Sequence, residues 1–529
     1  MRRLKLFPVA LLFLAAGCSS DETTNGGKDA TNPQEKGDLT AFVYDPIDTR
    51  TTGNYDGSAI RFYWKKGDKL WVHNVDANPD LIQSTKDDIN GQFSGGSGNK
   101  TPNASFYFPG IYNKSEYPVR YTGQDNPVGD KITIKATQSQ KAPSIGEHLG
   151  TDGDCGTAIA KRGQDGKYTF RLEHKAAYLT FMPYYHHEFA EDVKVTQIKV
   201  SANEALCGTF DFNDQGIVLS SRPTANTSNK SITLTLNGGG DNGFTIPKSP
   251  TASKNAAIMV LAPGDYTGLT IEYTLYDQAT KVRGTVKKEY GALSLKEGKN
   301  KKVQTDLAIQ HYGDDIYYMW DAPVGNHYWK GHENEKPILN DNLGTNFPTA
   351  QGDLRWFNGI EFPAHATRSA KDCPNANELR WLAEKGDPHW DPSLWSVMKH
   401  LYAGGMWLKK LNVIAAENGG SNKLKSHAPD GTDFVNNLQT DFAKFVYDNT
   451  QVKSGKPAAE SKYIYLPTLG YFREGKLAFV GIRGYFWAST PRKTGNIPMP
   501  QAYNMYVHKD GVHTGYGDRI NAHVQWSTF

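Results

Sequence analysis

Residues 269–275 read LTIEYTL, with Leu269, Ile271, Tyr273 and Leu275 separated by single polar residues. Strict alternation sends the four apolar side chains to one face of an extended strand and the polar ones to the other. Residues 231–236, SITLTL, repeat the pattern through Ile232, Leu234 and Leu236, and Val303, Thr305, Leu307 and Ile309 close the region. Outward from these strands, Pro263-Gly264, Gly238 to Gly240, Pro109-Gly110 and Asn90-Gly91 supply turns, and nothing from Leu39 to Ile309 sustains a helical period. The reading is antiparallel β-sandwich. Two runs slip phase and predict a bulge each: Val193/Val195 into Ile198/Val200, and Phe170/Leu172 into Leu179/Phe181. A division in the polar run Lys161 to Gly166 gives two sandwiches, residues 39–165 and 166–310.

Past His311 the composition changes, because nine of the eleven Trp lie between Trp320 and Trp526. Residues 311–529 therefore read as a separate α+β domain. Asn375 and Glu378 form a capping box ahead of Leu379, Trp381 and Leu382, with Gly386 as the stop. Asp391-Pro392 predicts a second helix carrying Leu394, Trp395, Met398 and Leu401, and Asp433 a third with Phe434, Val435, Leu438, Phe442, Phe445 and Val446 on one face. A hairpin turn is expected at His508 to Gly511. The expected fold class is mostly β: two sandwiches, then an α+β domain.

The amino end sets the compartment. Residues 1–17, MRRLKLFPVALLFLAAG, have a cationic start and an apolar run too short to span a bilayer, directly before Cys18. This is a signal peptide, and its small-residue end resembles a bacterial lipobox, so Cys18 is the expected lipidation site; a plain secretory signal with an incidental Cys is the competing reading. Residues 18–38 contain no apolar side chain larger than Ala or Pro, as expected of a flexible tether. The formal charge of +3 comes from Arg2, Arg3 and Lys5, so the chain after the signal is neutral and nucleic acid is not an expected partner.

Residues 62–72 (FYWKKGDKLWV), Phe93-Ser94-Gly95, residues 104–112 (ASFYFPGIY), residues 170–179 (FRLEHKAAYL), residues 206–210 (LCGTF) and residues 261–266 (LAPGDY) resemble, in order and spacing, the fimbrillin family of Bacteroidales surface lipoproteins. The resemblance implies two transthyretin-like sandwiches and a pilus subunit made as a lipidated precursor and assembled by strand exchange. It also implies proteolysis after an Arg in the first loop. Here the apolar strand Leu39 to Tyr44 is followed by residues 45–53, DPIDTRTTG, and Arg50 is the candidate cut site; an uncut surface arginine is the competing reading. Residues 317–322 (YYMWDA), 373–379 (CPNANEL), 465–472 (YLPTLGYF), 484–490 (GYFWAST) and 502–506 (AYNMY) are similar to the major-paralogous-domain group of the same bacteria, which implies a C-type-lectin-like fold. The usual lectin disulfides and calcium-binding triplets are missing from this part of the sequence, so calcium-dependent sugar binding is not expected. The implied role is a tip adhesin of a fimbrium on the outer membrane, with other pilus subunits as partners. A permanently anchored outer-membrane lipoprotein binding glycan or a host protein is the alternative.

No catalytic residue, metal ligand or cofactor is assigned. His186-His187-Glu188 reads as a solvated loop, since adjacent residues in a strand point to opposite faces. Cys155 and Cys207 are either a disulfide or two free thiols, and Cys373 reads as packing. Asp387 to Asp391 offers two carboxylates and a His, with helix capping assigned to Asp391. Most Trp and Tyr of residues 311–529 are expected in the core. The ligand-binding residues are unknown from sequence.

Overall fold

The computed structural model describes residues 39–45, 52–89, 100–124, 126–360, 365–436, 442–492 and 500–526. The chain is mostly β. In the first sandwich a long sheet runs in the spatial order 81–83, 71–73, 116–121, 156–162, 168–170, 39–44, 105–109 and 86–87. A smaller sheet, 145–146, 52–55, 60–65 and 100–101, covers it. Trp64 is the hub between them, fully buried, with its ring edge-on to Tyr44 at 5.4 Å and Phe106 at 4.9 Å.

The second sandwich packs the sheet 137–140, 231–236, 193–201, 264–277 and 283–295 against the sheet 257–261, 177–184 and 300–306. Leu269, Ile271, Tyr273 and Leu275 are all buried, as are Ile232, Leu234 and Leu236, so the alternation that defines these strands is the alternation of core and solvent. The register between Val193–Ser201 and Gly264–Asp277 shifts between Val195 and Gln197, where the first phase slip predicts a bulge. The second slip has another cause. Phe170 to Phe181 is three strands, Tyr168–Phe170, Glu173–His174 and Ala177–Tyr184, because the chain leaves one sandwich for the other here. The two sandwiches exchange strands around this crossing: Tyr168–Phe170 pairs in the first, while Lys131–Ile134 and Thr137–Gln140 pair with Gly208–Asn213 and Ser231–Leu236 of the second.

In the C-terminal part the capping box forms. Asn375 Oδ1 accepts from the Glu378 N–H at 2.9 Å, Glu378 Oε2 accepts from the Asn375 N–H at 2.8 Å, and the helix Ala376–Lys385 follows. The other two expected helices do not. His389–Val397 and His400–Lys409 form an antiparallel hairpin, bulged between Asp391 and Leu394 and turned by Met398 and Lys399, both at positive φ. Trp395, Ser396 and Val397 are all buried, so the strand shows no alternation, and a tight turn built without Gly or Asn hides its own signature. At Asp433 the side chain closes a turn by accepting from the N–H groups of Val435 and Asn436, and Phe442–Lys444 is a 3₁₀ turn; Leu438 lies outside the described residues. Helices instead occupy Leu411–Asn418 and Ser421–Ser426. The expected hairpin joins Gln501–His508 to Gly511–Asp518. No described helix is long and apolar enough to cross a membrane.

The last described strand, Ala522–Val524, pairs with Tyr317–Met319, bringing the two ends of this part together. Within it His523 is buried and its ring stacks on Trp487 at 3.8 Å. Burial pushes its imidazole down from 6.5 to about 3. The unfolded chain binds this proton near pH 6.5 and the folded chain only near pH 3, so stability is full above about 6.5 and falls with acid through that interval. The expected loss is a few kcal/mol by pH 4, read as a falling thermal midpoint that flattens in His523→Phe; an equally steep profile in the variant would contradict it.

Candidate functional site

The first strand, Leu39–Tyr44, occupies an interior position of its sheet. It pairs antiparallel with Ser105–Pro109, placing Phe42 opposite Phe106, and parallel with Tyr168–Phe170, placing Phe42 beside Tyr168 and Tyr44 beside Phe170. Beyond the strand ladder proper, the Tyr44 N–H donates to the Ala104 carbonyl at 3.0 Å and the Asp45 N–H to the Phe170 carbonyl at 2.9 Å. Phe42 and Tyr44 point into the core, while Ala41 and Val43 are half-buried on the other face. The Phe42 ring stacks on Tyr168 at 4.7 Å and meets Phe108 and Tyr112 edge-on at 4.9 and 5.4 Å. Burying two such rings contributes roughly 3–6 kcal/mol of apolar transfer.

Without this segment two strands would lose their shared neighbour and an aromatic trough would open over Trp64. An apolar trough edged by unpaired backbone groups takes up an extended peptide by β-augmentation. The segment is the first described strand, and both strands that pair with it come later in the chain. The chain then crosses to the covering sheet, entering it at Thr52–Tyr55. Arg50, the candidate cut site, and Cys18, the candidate lipidation site, both lie outside the described residues.

The remaining candidates resolve into packing and loops. His186 faces Asp306 at 3.0 Å, His187 stacks on His311 at 4.0 Å and Glu188 meets Lys399 at 3.0 Å. Cys155 and Cys207 are free and buried, and burial pushes the Cys207 thiol up to about 11 and the half-buried Cys373 thiol up to about 12, so both are poor nucleophiles. Asp391 caps no helix: it accepts from the Ser393 N–H and hydroxyl at 2.9 and 2.7 Å and from Trp407 Nε1 at 3.0 Å, holding the bulge of its own strand. Asp387 accepts from Tyr463 at 2.7 Å and Lys453 at 2.6 Å. Trp320, Trp329, Trp381, Trp395, Trp487 and Trp526 are buried, as expected of core residues.

Sequence reading missed the contact between the second sandwich and the C-terminal part. Asp277 and His400 are both buried, and the His400 Nδ1–H donates to Asp277 Oδ2 at 3.0 Å. That oxygen also accepts from the Leu401 N–H at 2.8 Å, while Oδ1 accepts from the N–H groups of Ala279 and Thr280 at 2.9 and 3.3 Å. These bonds outweigh the burial that opposes them and hold the Asp277 carboxyl below its usual range. Asp192 lies close enough to complete a metal-sized cluster, but four N–H groups already occupy the Asp277 oxygens, and the arrangement is a clasp. Tyr185 and Ser396 add a 2.6 Å hydroxyl bond beside it.

No family model matches the chain, and no curated protein matches it. Among solved structures, the chain is similar to a candidate cell adhesion protein from Bacteroides uniformis, at 14% identity and a TM-score of 0.29, over 51% of this chain and 94% of that one. It is similar to a fimbrial protein from Bacteroides ovatus at 12% identity and a TM-score of 0.25, over 92% and 98%. The fimbrial anchor protein Mfa2 from Porphyromonas gingivalis is similar at 11% identity and a TM-score of 0.19, over 46% and 82%.

Proposed function

We propose that this chain is a fimbrial subunit of the fimbrillin type, lipidated at Cys18, carried to the outer membrane, and activated by cleavage after Arg50. Cleavage frees Leu39–Tyr44 together with the lipid tether, so maturation and release from the membrane are one event. Another subunit then supplies the missing strand. In the C-terminal part, read as lectin-like, the last described strand, Ala522–Val524, is paired to the opening strand Tyr317–Met319 and so is not free to be donated. The subunit therefore sits at a filament tip, where it binds a surface ligand and catalyses nothing.

One observation carries this reading: the first described strand fills an interior slot over an aromatic trough, and in sequence it stands six residues ahead of Arg50. The test is an arginine-specific digest of the purified chain lacking lipid. The expected product is one large fragment starting at Thr51 that loses residues 39–44 and takes up a synthetic strand in their place. An uncut amino end, or a cut chain that keeps its strand and refuses the peptide, would favour a permanently anchored receptor for glycan or host protein. The buried Phe42 and Tyr44 rings are what favour that alternative.

A further inference from the structure

At the junction where the C-terminal part begins and ends, the Gln525 N–H donates to the Ile316 carbonyl at 3.0 Å, and a cavity of about 390 Å³ opens beside it. This lies within the roughly 300–1,000 Å³ of small-molecule pockets. One wall is set by Asp321, which is buried and accepts from the N–H groups of Thr367 at 2.9 Å, Arg368 at 2.6 Å and Ala370 at 3.3 Å, and from Asn358 Nδ2 at 2.8 Å. Four bonds to one carboxylate fix the loop that carries Arg368 and Ser369 to the cavity. The Ser369 hydroxyl is buried there and has no hydrogen-bond partner among the described residues. A buried polar group left without a partner costs about 1–3 kcal/mol, which a ligand hydroxyl would recover.

The remaining lining selects the ligand's charge. Two carboxylates, Asp315 and Asp372, and two cations, Arg368 and Lys371, line the cavity, with Lys371 Nζ 4.0 Å from Asp372 Oδ2, so the lining carries no net charge and a ligand of either sign meets repulsion from part of it. A neutral polyol meets none: its hydroxyls donate to Asp315, accept from Arg368, and do both with Ser369 and the Gln525 amide. Tyr318, Ile316 and Val324, the last 72% exposed, supply an apolar side for a C–H face. We propose that this cavity binds a neutral hexopyranoside, held by Ser369, Arg368 and Gln525 with its C–H face on Tyr318 and Val324. The assignment rests on the reading of the C-terminal part as the ligand-presenting end.

The full chain lacking lipid is titrated with methyl α-glucopyranoside, methyl α-mannopyranoside and methyl β-galactopyranoside by calorimetry and saturation-transfer NMR. At least one is expected to bind saturably, about tenfold or more weakly in Ser369→Ala and Arg368→Gln, and not at all in Val324→Trp, which blocks the mouth from an exposed position. Lys476→Ala, beside the separate cavity of Asp341 and Tyr471, should leave affinity unchanged. Saturable binding indifferent to all three pocket variants would put the sugar elsewhere and overturn this site while leaving the ligand-presenting reading intact. No saturable binding of any of the three overturns the saccharide assignment. Failure of the underlying reading shows separately, as equal surface adhesion by cells with and without the chain.

Discussion

Phe42→Ala lowers the stability of the first sandwich by about 3–5 kcal/mol, the cost of emptying a fully packed aromatic site. The ring has no freedom to be replaced by relaxation, because Tyr168, Phe108 and Tyr112 surround it and Phe106 stands opposite it on the neighbouring strand. Hydrogen exchange on the intact chain reads this locally: protection of Ser105–Pro109 and Tyr168–Phe170 should fall about a thousandfold while the second sandwich is unaffected. Val43→Ala, on the half-buried face of the same strand, should cost about 1 kcal/mol. Equal effects at the two positions would mean that the strand is held by its backbone ladder alone, and that the trough has little appetite for side chains.

Breaking the clasp has the other large effect. His400→Ala strands Asp277, a buried carboxylate, with three backbone donors and no side-chain partner, and is expected to cost about 3–5 kcal/mol. Asp277→Asn turns an amide N–H toward groups that are themselves donors and should cost a similar amount. The double variant should be less costly than the two singles added together, since each single already pays for one orphan. The depressed Asp277 pKa adds a pH signature. Its stabilisation is complete above the unfolded carboxylate value near 4 and is lost as pH falls through the lower folded value. Urea unfolding of the intact chain, followed by Trp fluorescence, measures all three variants; strict additivity would show that the residues do not act as a pair.

The limits of sequence reading follow from where information is local. Ile232, Leu234 and Leu236 reveal their strand because one face is core and the other solvent. Ala177–Tyr184 lies between two strands with both faces covered, so its buried run carries no period to read. Asn375 and Glu378 announce a helix because the capping box is contained in four residues. The hairpin turned by Met398 and Lys399 mimics a helix because the turn falls inside the run Leu394, Trp395, Met398 and Leu401 and because Trp395, Ser396 and Val397 are all buried, so no alternation shows. The same distinction applies to the candidate sites. LTAFVY is legible as an apolar strand, but its parallel partner at Tyr168–Phe170 is a long-range choice that no local pattern encodes. Asp277 and His400 are separated by 123 positions, and neither stands in a recognisable motif.

The slot of the first strand also has a sense of direction. One flank runs with it and the other against it, so a substitute inserted backwards would mispair along both sides at once. On the proposed reading, a filament joined through this slot would inherit a single arrow, every joint facing the same way, and its two ends could not be interchanged.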